Sequence, residues 1–276
     1  MSAQAASSYG PSALGGSPRR FVELTLTLAR TEFKLRYFGS ALGYVWSLVR
    51  PLLFFGVIYV FFTQIVRVGK GIPHYGVYLL TGIVLWNYFS EATGNCVSSL
   101  VAREAILRKI RFPRMVVPLA VSLTAMFNLG MNFIVVIVFA LVNGIVPAWS
   151  WLELLPIILG FMLLATGIGM FLSVMYVRYR DVAPIWEVLS QVLFYATPIM
   201  YTASSYSGLE HVALLNPLAV LVTQMGHAFI RDPYFPSAAH AAGGLHLAIA
   251  LALIPAVFAA GWLVFTREAP RVAENL

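Results

Sequence analysis

The chain of 276 residues has a single cysteine, Cys96, and only 11 acidic residues. One thiol excludes an internal disulfide framework and any cysteine-based metal motif. Charged residues make up 11% of the sequence and hydrophobic residues 60%, against about 25% and about 45–50% in ordinary soluble domains. The carboxylates are scattered, which argues against a membrane-embedded enzyme needing clustered Asp, Glu or His. The five histidines (74, 211, 227, 240 and 246) lack ligand-like spacing. Neither a G-x-x-x-x-G-K-[ST] loop nor a G-x-G-x-x-G turn after a strand occurs, so no nucleotide phosphate cradle is encoded. No long polar stretch of soluble-domain size is present. What remains is a series of apolar runs, and the composition marks one integral membrane domain.

Residues 1–19 are rich in Ser, Ala, Gly and Pro without an apolar core, which predicts a disordered tail and no cleaved signal peptide. A spanning helix needs about 20 mainly apolar residues. Five segments satisfy this: 46–66, 77–101, 115–142, 154–177 and 246–266. A sixth, 183–200, is shorter and has Pro184 in its first turn. The stretch 209–230 is interrupted by Asn216-Pro217, and the region 205–240 reads as a re-entrant hairpin on the extracytoplasmic side. Charge decides the parity. With the N-terminus inside and six spans, fifteen of the 18 Lys and Arg residues fall on the cytoplasmic face. Only Arg67, Lys70 and Arg231 fall outside. Full crossing by 209–230 would move Arg267 and Arg271 outside and weaken that bias. The net charge of +7 therefore reflects topology and not nucleic acid.

Before the first span, residues 20–38 carry two apolar stripes at helical spacing, with Glu23, Arg30 and Lys34 on a polar strip between them. This pattern predicts a helix lying in the membrane interface. Within the spans, polar residues recur in rows at i, i+4: Asn87, Glu91 and Asn95; Asn128 and Asn132; Glu187, Gln191 and Tyr195. Such rows line hydrated paths or make interhelical hydrogen bonds, the latter worth only about 0.6 kcal/mol each in membranes. A proton relay through Glu91 and Glu187 requires basic partners at the same depth, and none is visible in the sequence. Phe55, Tyr59 and Phe62 share one face of the first span. With Tyr195 and Tyr201 they are candidates for stacking on sugar rings, ordinary packing being the alternative. Small residues form seams at Ala248, Ala252, Ala256 and Ala260, and at Ala165, Gly169 and Ser173, which favour close helix contacts.

The segment Arg103–Arg114, REAILRKIRFPR, holds five of the 18 basic residues between two spans. It is a topological marker and a surface that a soluble partner can grip. Together with LGYVWSLVRPLLFFGVIYVFF (42–62), YVRYRDV (176–182), TPIMY (197–201) and LNPLA (215–219), it resembles the membrane subunit of ABC-2 type exporters of lipid-linked polysaccharides, the O-antigen, capsule and teichoic acid group. The resemblance runs from about residue 20 to the end. Each motif is short, and their order across the chain carries the match.

The resemblance implies an all-α membrane fold with six transmembrane helices, an interface helix and the re-entrant hairpin. It also implies a homodimer working with two copies of a cytoplasmic ABC ATPase, which would hold the ATP and Mg²⁺; no cofactor is expected in this chain. On that basis 103–113 is a coupling helix, with Glu104, Arg108, Lys109, Arg111 and Phe112 facing the ATPase. Arg30, Lys34 and Arg36 are candidates for contact with lipid or the diphosphate of a polyprenyl-linked glycan. Phe55, Tyr59, Phe62, Glu91, Tyr195 and Tyr201 are candidates for the conduit. Two alternatives stay open: an ABC-2 permease for a small hydrophobic drug, and a secondary transporter or channel without an ATPase. The second predicts internal repeats, and the sequence shows no convincing one.

Overall fold

The computed structural model describes residues 18–38, 43, 45–67, 71–105, 113–202 and 210–275, and every element among them is helical. The long elements are α1 (Pro18–Tyr37), α2 (Val45–Val60), α3 (Tyr75–Val97), α4 (Val116–Val142), α5 (Leu154–Arg178) and α6 (Val182–Tyr195). They are followed by α7 (Glu210–Ala213), α8 (Pro217–Ile230), α9 (Ala238–Ala242) and α10 (Gly244–Asn275). Among the described residues, four helical segments are long and apolar enough to cross a bilayer: Val45–Ile65, Val116–Val142, Trp149–Arg178 and Gly244–Ala269. The first joins α2 to a π-helical turn at Phe61–Ile65, and the third adds a 3-10 turn at Trp149–Glu153 to α5.

Two segments expected as spans take different forms. α3 has the length, at 23 residues, but carries too many polar side chains to count by apolarity. α6 has 14 residues, about 21 Å of helix against a hydrocarbon core of about 30 Å. The chain leaves it through a turn at Ala196, whose N–H donates to the Val192 carbonyl at 2.9 Å.

α3 sits at the centre, packed by α4 and α5 on their long faces and by α2 and α6 at its sides. Seventeen of its 23 residues are buried, including Tyr78, Leu79, Ile83, Leu85 and Phe89. The tightest crossing is between α5 and α10. A Cβ on Gly261 would fall 2.0 Å from the Gly167 carbonyl oxygen, and one on Gly167 2.6 Å from the Phe258 Cα. The two backbones touch there, so only glycine fits. The alanine seam of α10 faces elsewhere, since Ala248, Ala252, Ala256 and Ala260 are all exposed.

Of the region 205–240, residues 205–209 lie outside the described residues, and residues 210–240 form a broken helical unit. α8 begins where Asn216 accepts from the Leu218 N–H at 3.0 Å, with Pro217 at the first helical position. It buries most of its length and ends at Arg231 in the left-handed conformation (φ 58°). Gln224 ties the unit together by donating to Glu153 at 2.6 Å and accepting from the Ala238 N–H at 2.9 Å.

Candidate functional site

The three polar rows meet in one place. Asn87, Glu91 and Asn95 from α3, Asn128 and Asn132 from α4, and Glu187, Gln191 and Tyr195 from α6 all line a cleft of about 1460 Å³. α2 closes one side with Trp46, Arg50, Phe54 and Val57, and the end of α1 supplies Arg36 and Tyr37. The i, i+4 spacing that put each row on one helix face is thus the spacing that lets each helix line the same cleft. Aromatic rings form a second lining: Trp86 lies 5.3 Å from Phe194, and Phe194 6.2 Å from Phe54, centroid to centroid.

At the α1 end of the cleft the polar groups form a connected network. Arg36 Nη1 donates to Glu91 Oε1, forming an ion pair. Asn128 Nδ2 donates to the same oxygen at 2.7 Å, and Tyr37 OH donates to Asn128 Oδ1 at 2.7 Å. Glu91 therefore receives two donors and has its charge matched, which makes a carboxylate at this depth tolerable. A second pair lies one turn back on α1, where Arg103 Nη2 donates to Glu32 Oε1 while Nη1 donates to the Ser99 carbonyl at 3.0 Å. Arg103 is the first residue of the basic segment. α1 is accordingly fastened by charge at two successive turns, once to the cleft and once to the chain entering that segment. Thr124 on α4 adds a hydrogen bond to the Ala29 carbonyl at 3.2 Å.

The other candidate residues are distributed as follows. Arg30 and Lys34 are exposed on α1. Phe55 and Tyr59 turn away from the cleft: Phe55 packs edge-on against Phe139 at 5.6 Å, and Tyr59 stacks on Tyr75 at 6.3 Å. Phe62 is half-buried against the core beside Phe61. Tyr195 lines the cleft, and Tyr201 OH donates to its carbonyl at 2.6 Å. Glu104 is half-buried at the end of the described part of the basic segment, and Arg108, Lys109, Arg111 and Phe112 lie outside the described residues.

Two features escaped the sequence reading. The basic partner of Glu91 is 55 positions away on another helix, and no pattern within the α3 segment announces it. The face of α2 that borders the cleft is Trp46, Arg50 and Phe54 rather than the adjacent aromatic row. The i, i+4, i+8 spacing of those three was a usable signal.

The described residues thus form an apolar helical domain with one polar, aromatic-lined cleft. The family model described as ABC-2 type transporter matches residues 23–229, three quarters of the chain, and the protein belongs to that family as a permease. Its relatives include O-antigen export system permease proteins RfbA. One from Klebsiella pneumoniae is 30% identical over 210 residues, covering 75% of this chain and 80% of the relative. A second from the same organism is 31% identical over the same lengths. One from Myxococcus xanthus is 30% identical over 204 residues, covering 72% and 77%.

Proposed function

We propose that this chain is the membrane-spanning subunit of an ATP-driven exporter that moves a polyprenyl-diphosphate-linked polysaccharide, such as O-antigen or a teichoic-acid-like polymer, across the cytoplasmic membrane. The observation that carries the reading is the cleft, where three polar rows and a set of aromatic rings line one path among apolar helices. Amides, carboxylates and hydroxyls exchange hydrogen bonds with sugar hydroxyls, and ring faces stack on sugar rings. The names of the relatives from Klebsiella pneumoniae and Myxococcus xanthus support the choice of cargo. A second copy closes the open side of the cleft, and two cytoplasmic ATPase subunits holding ATP and Mg²⁺ drive it.

In this reading six segments cross the membrane with both termini inside, and α7, α8 and α9 form the re-entrant unit over the outer end of the path. α3 needs no lipid-facing surface because protein surrounds it, and α6 crosses with the turn at 196–202 completing its path. Segment 103–113 docks on the ATPase through Glu104, Arg108, Lys109, Arg111 and Phe112. Its motion reaches the cleft through Arg103, Glu32 and α1. Exposed Arg30 and Lys34 meet the diphosphate at the membrane surface.

The test is co-purification with a candidate ATPase, followed by ATP hydrolysis and glycan export in proteoliposomes. Stimulation of hydrolysis by lipid-linked glycan, lost on charge reversal of Arg108, Lys109 and Arg111 with insertion intact, is the expected result. A chain that is stable alone and recruits no ATPase, or one that exports normally with all three reversed, overturns the coupling.

A further inference from the structure

Among the described residues, four charged side chains border the cleft: Arg36, Arg50, Glu91 and Glu187. Arg36 and Glu91 hold each other. Arg50 and Glu187 form no ion pair among the described residues. Arg50 stands five residues into α2, Glu187 five residues into α6, and Glu91 six residues from the end of α3. At 1.5 Å per residue each lies about 8–9 Å inside its helix end. The six-span topology proposed above brings those ends to one membrane face.

A cation in a membrane cleft without an ion pair among the described residues is costly and points to a functional position. Trp46 lies one turn before Arg50, so the two share a stripe of α2, and Trp46, an exposed residue, borders the same cleft. The chemistries are complementary to two adjoining parts of one ligand. An indole face takes a sugar ring, and a guanidinium takes phosphate oxygens in a bidentate pair. Glu187 and Gln191, on α6, add acceptors for sugar hydroxyls.

We propose that Trp46 and Arg50 form the subsite for a glycosyl phosphate group, with the sugar on the indole, the phosphate on the guanidinium, and Glu187 accepting from hydroxyls. The assignment rests on the cleft being the transport path. It gives the phosphate a ligand distinct from Arg36, whose guanidinium already serves Glu91. A phospholipid headgroup offers the phosphate without the sugar, so the two sources are separable.

The test measures binding to the full chain in nanodiscs of zwitterionic lipid, using three radiolabelled probes: a polyprenyl-diphosphate-linked hexose, the polyprenyl diphosphate alone, and a polyprenyl hexoside without phosphate. Arg50→Gln is expected to weaken the two diphosphate probes at least tenfold and leave the hexoside unchanged, with Arg50→Lys retaining most affinity. Trp46→Ala is expected to weaken both hexose probes and spare the sugar-free diphosphate. Phosphatidylglycerol that displaces the diphosphate-linked hexose at equal concentration overturns the substrate assignment in favour of a headgroup site. Unchanged diphosphate binding in Arg50→Gln overturns the subsite alone, as does full rescue of that variant by Glu187→Gln, which would make Arg50 simply the partner of Glu187. Failure of the unaltered chain to bind any of the three probes removes the transport-path reading together with the subsite.

Discussion

α2 with the turn that continues it, 21 residues, and α3, 23 residues, are neighbours that solve opposite problems. α2 is the more apolar and the less buried, with only Pro51 and Ile58 inside and with Leu53, Val57 and Ile65 exposed on its length and on the turn that follows. α3 carries Asn87, Glu91 and Asn95 and buries nearly everything else. In water the buried helix is the apolar one. In a bilayer a helix touching lipid must be apolar, while a helix wrapped in protein is free to carry polar groups that its neighbours satisfy. Apolarity here measures what a helix faces, not how central it is.

That contrast is open to direct attack by mutation. Phe89→Ala, at a fully buried ring of α3, is expected to cost about 3 kcal/mol or more through the cavity left behind. Val57→Ala on α2, at 70% exposure, is expected to stay within about 0.5 kcal/mol. Reversible unfolding in mixed micelles measures both, and equal losses would erase the distinction. The glycine crossing sharpens it. Gly261→Ala adds only a methyl, yet it has no room against Gly167, and a loss of about 1–3 kcal/mol is expected from overpacking.

The two glutamates of the cleft give a smaller version of the same comparison. Glu91→Gln breaks the match to Arg36, whereas Glu187→Gln breaks no ion pair among the described residues. Both partners of the Arg36 pair are partly exposed, so Glu91→Gln is expected to cost on the order of 1 kcal/mol, and Glu187→Gln less than about 0.5. An Arg36→Gln, Glu91→Gln double-mutant cycle isolates the coupling. The least perturbing probe asks what covers the cleft-lining edge of α2 at Val57. Val57→Cys in a Cys96→Ser background is expected to form a disulfide with a second copy in native membranes, with little change in stability. Lipid alone on that face yields only monomer.

Much of the cleft lining was legible beforehand because a helix has a fixed period. Asn87, Glu91 and Asn95 must share a face wherever that helix goes, and the same holds for Asn128 with Asn132 and for Glu187 with Gln191. What periodicity cannot say is which of two apolar faces turns inward. Phe55 and Tyr59 form a convincing aromatic row, yet they pack on Phe139 and Tyr75, while Trp46 and Phe54 border the cleft. In a membrane helix both faces are apolar, so hydrophobicity does not break the tie. The pairing of Arg36 with Glu91 was hidden for a different reason. It joins residues on separate helices, and a charge in sequence carries no address for its partner.

The amino-acid sequence by itself determined the class of the protein. The apolar runs, the few charges and the ordered short motifs are local properties, and they define a helical membrane permease. Only the tertiary structure decided that three polar rows from different helices converge on one cleft, that α1 is fastened to it by Arg36 and to the basic segment by Glu32, and that Arg50 stands in that cleft without an ion pair among the described residues. Those are relations between helices far apart in the chain, and packing sets them.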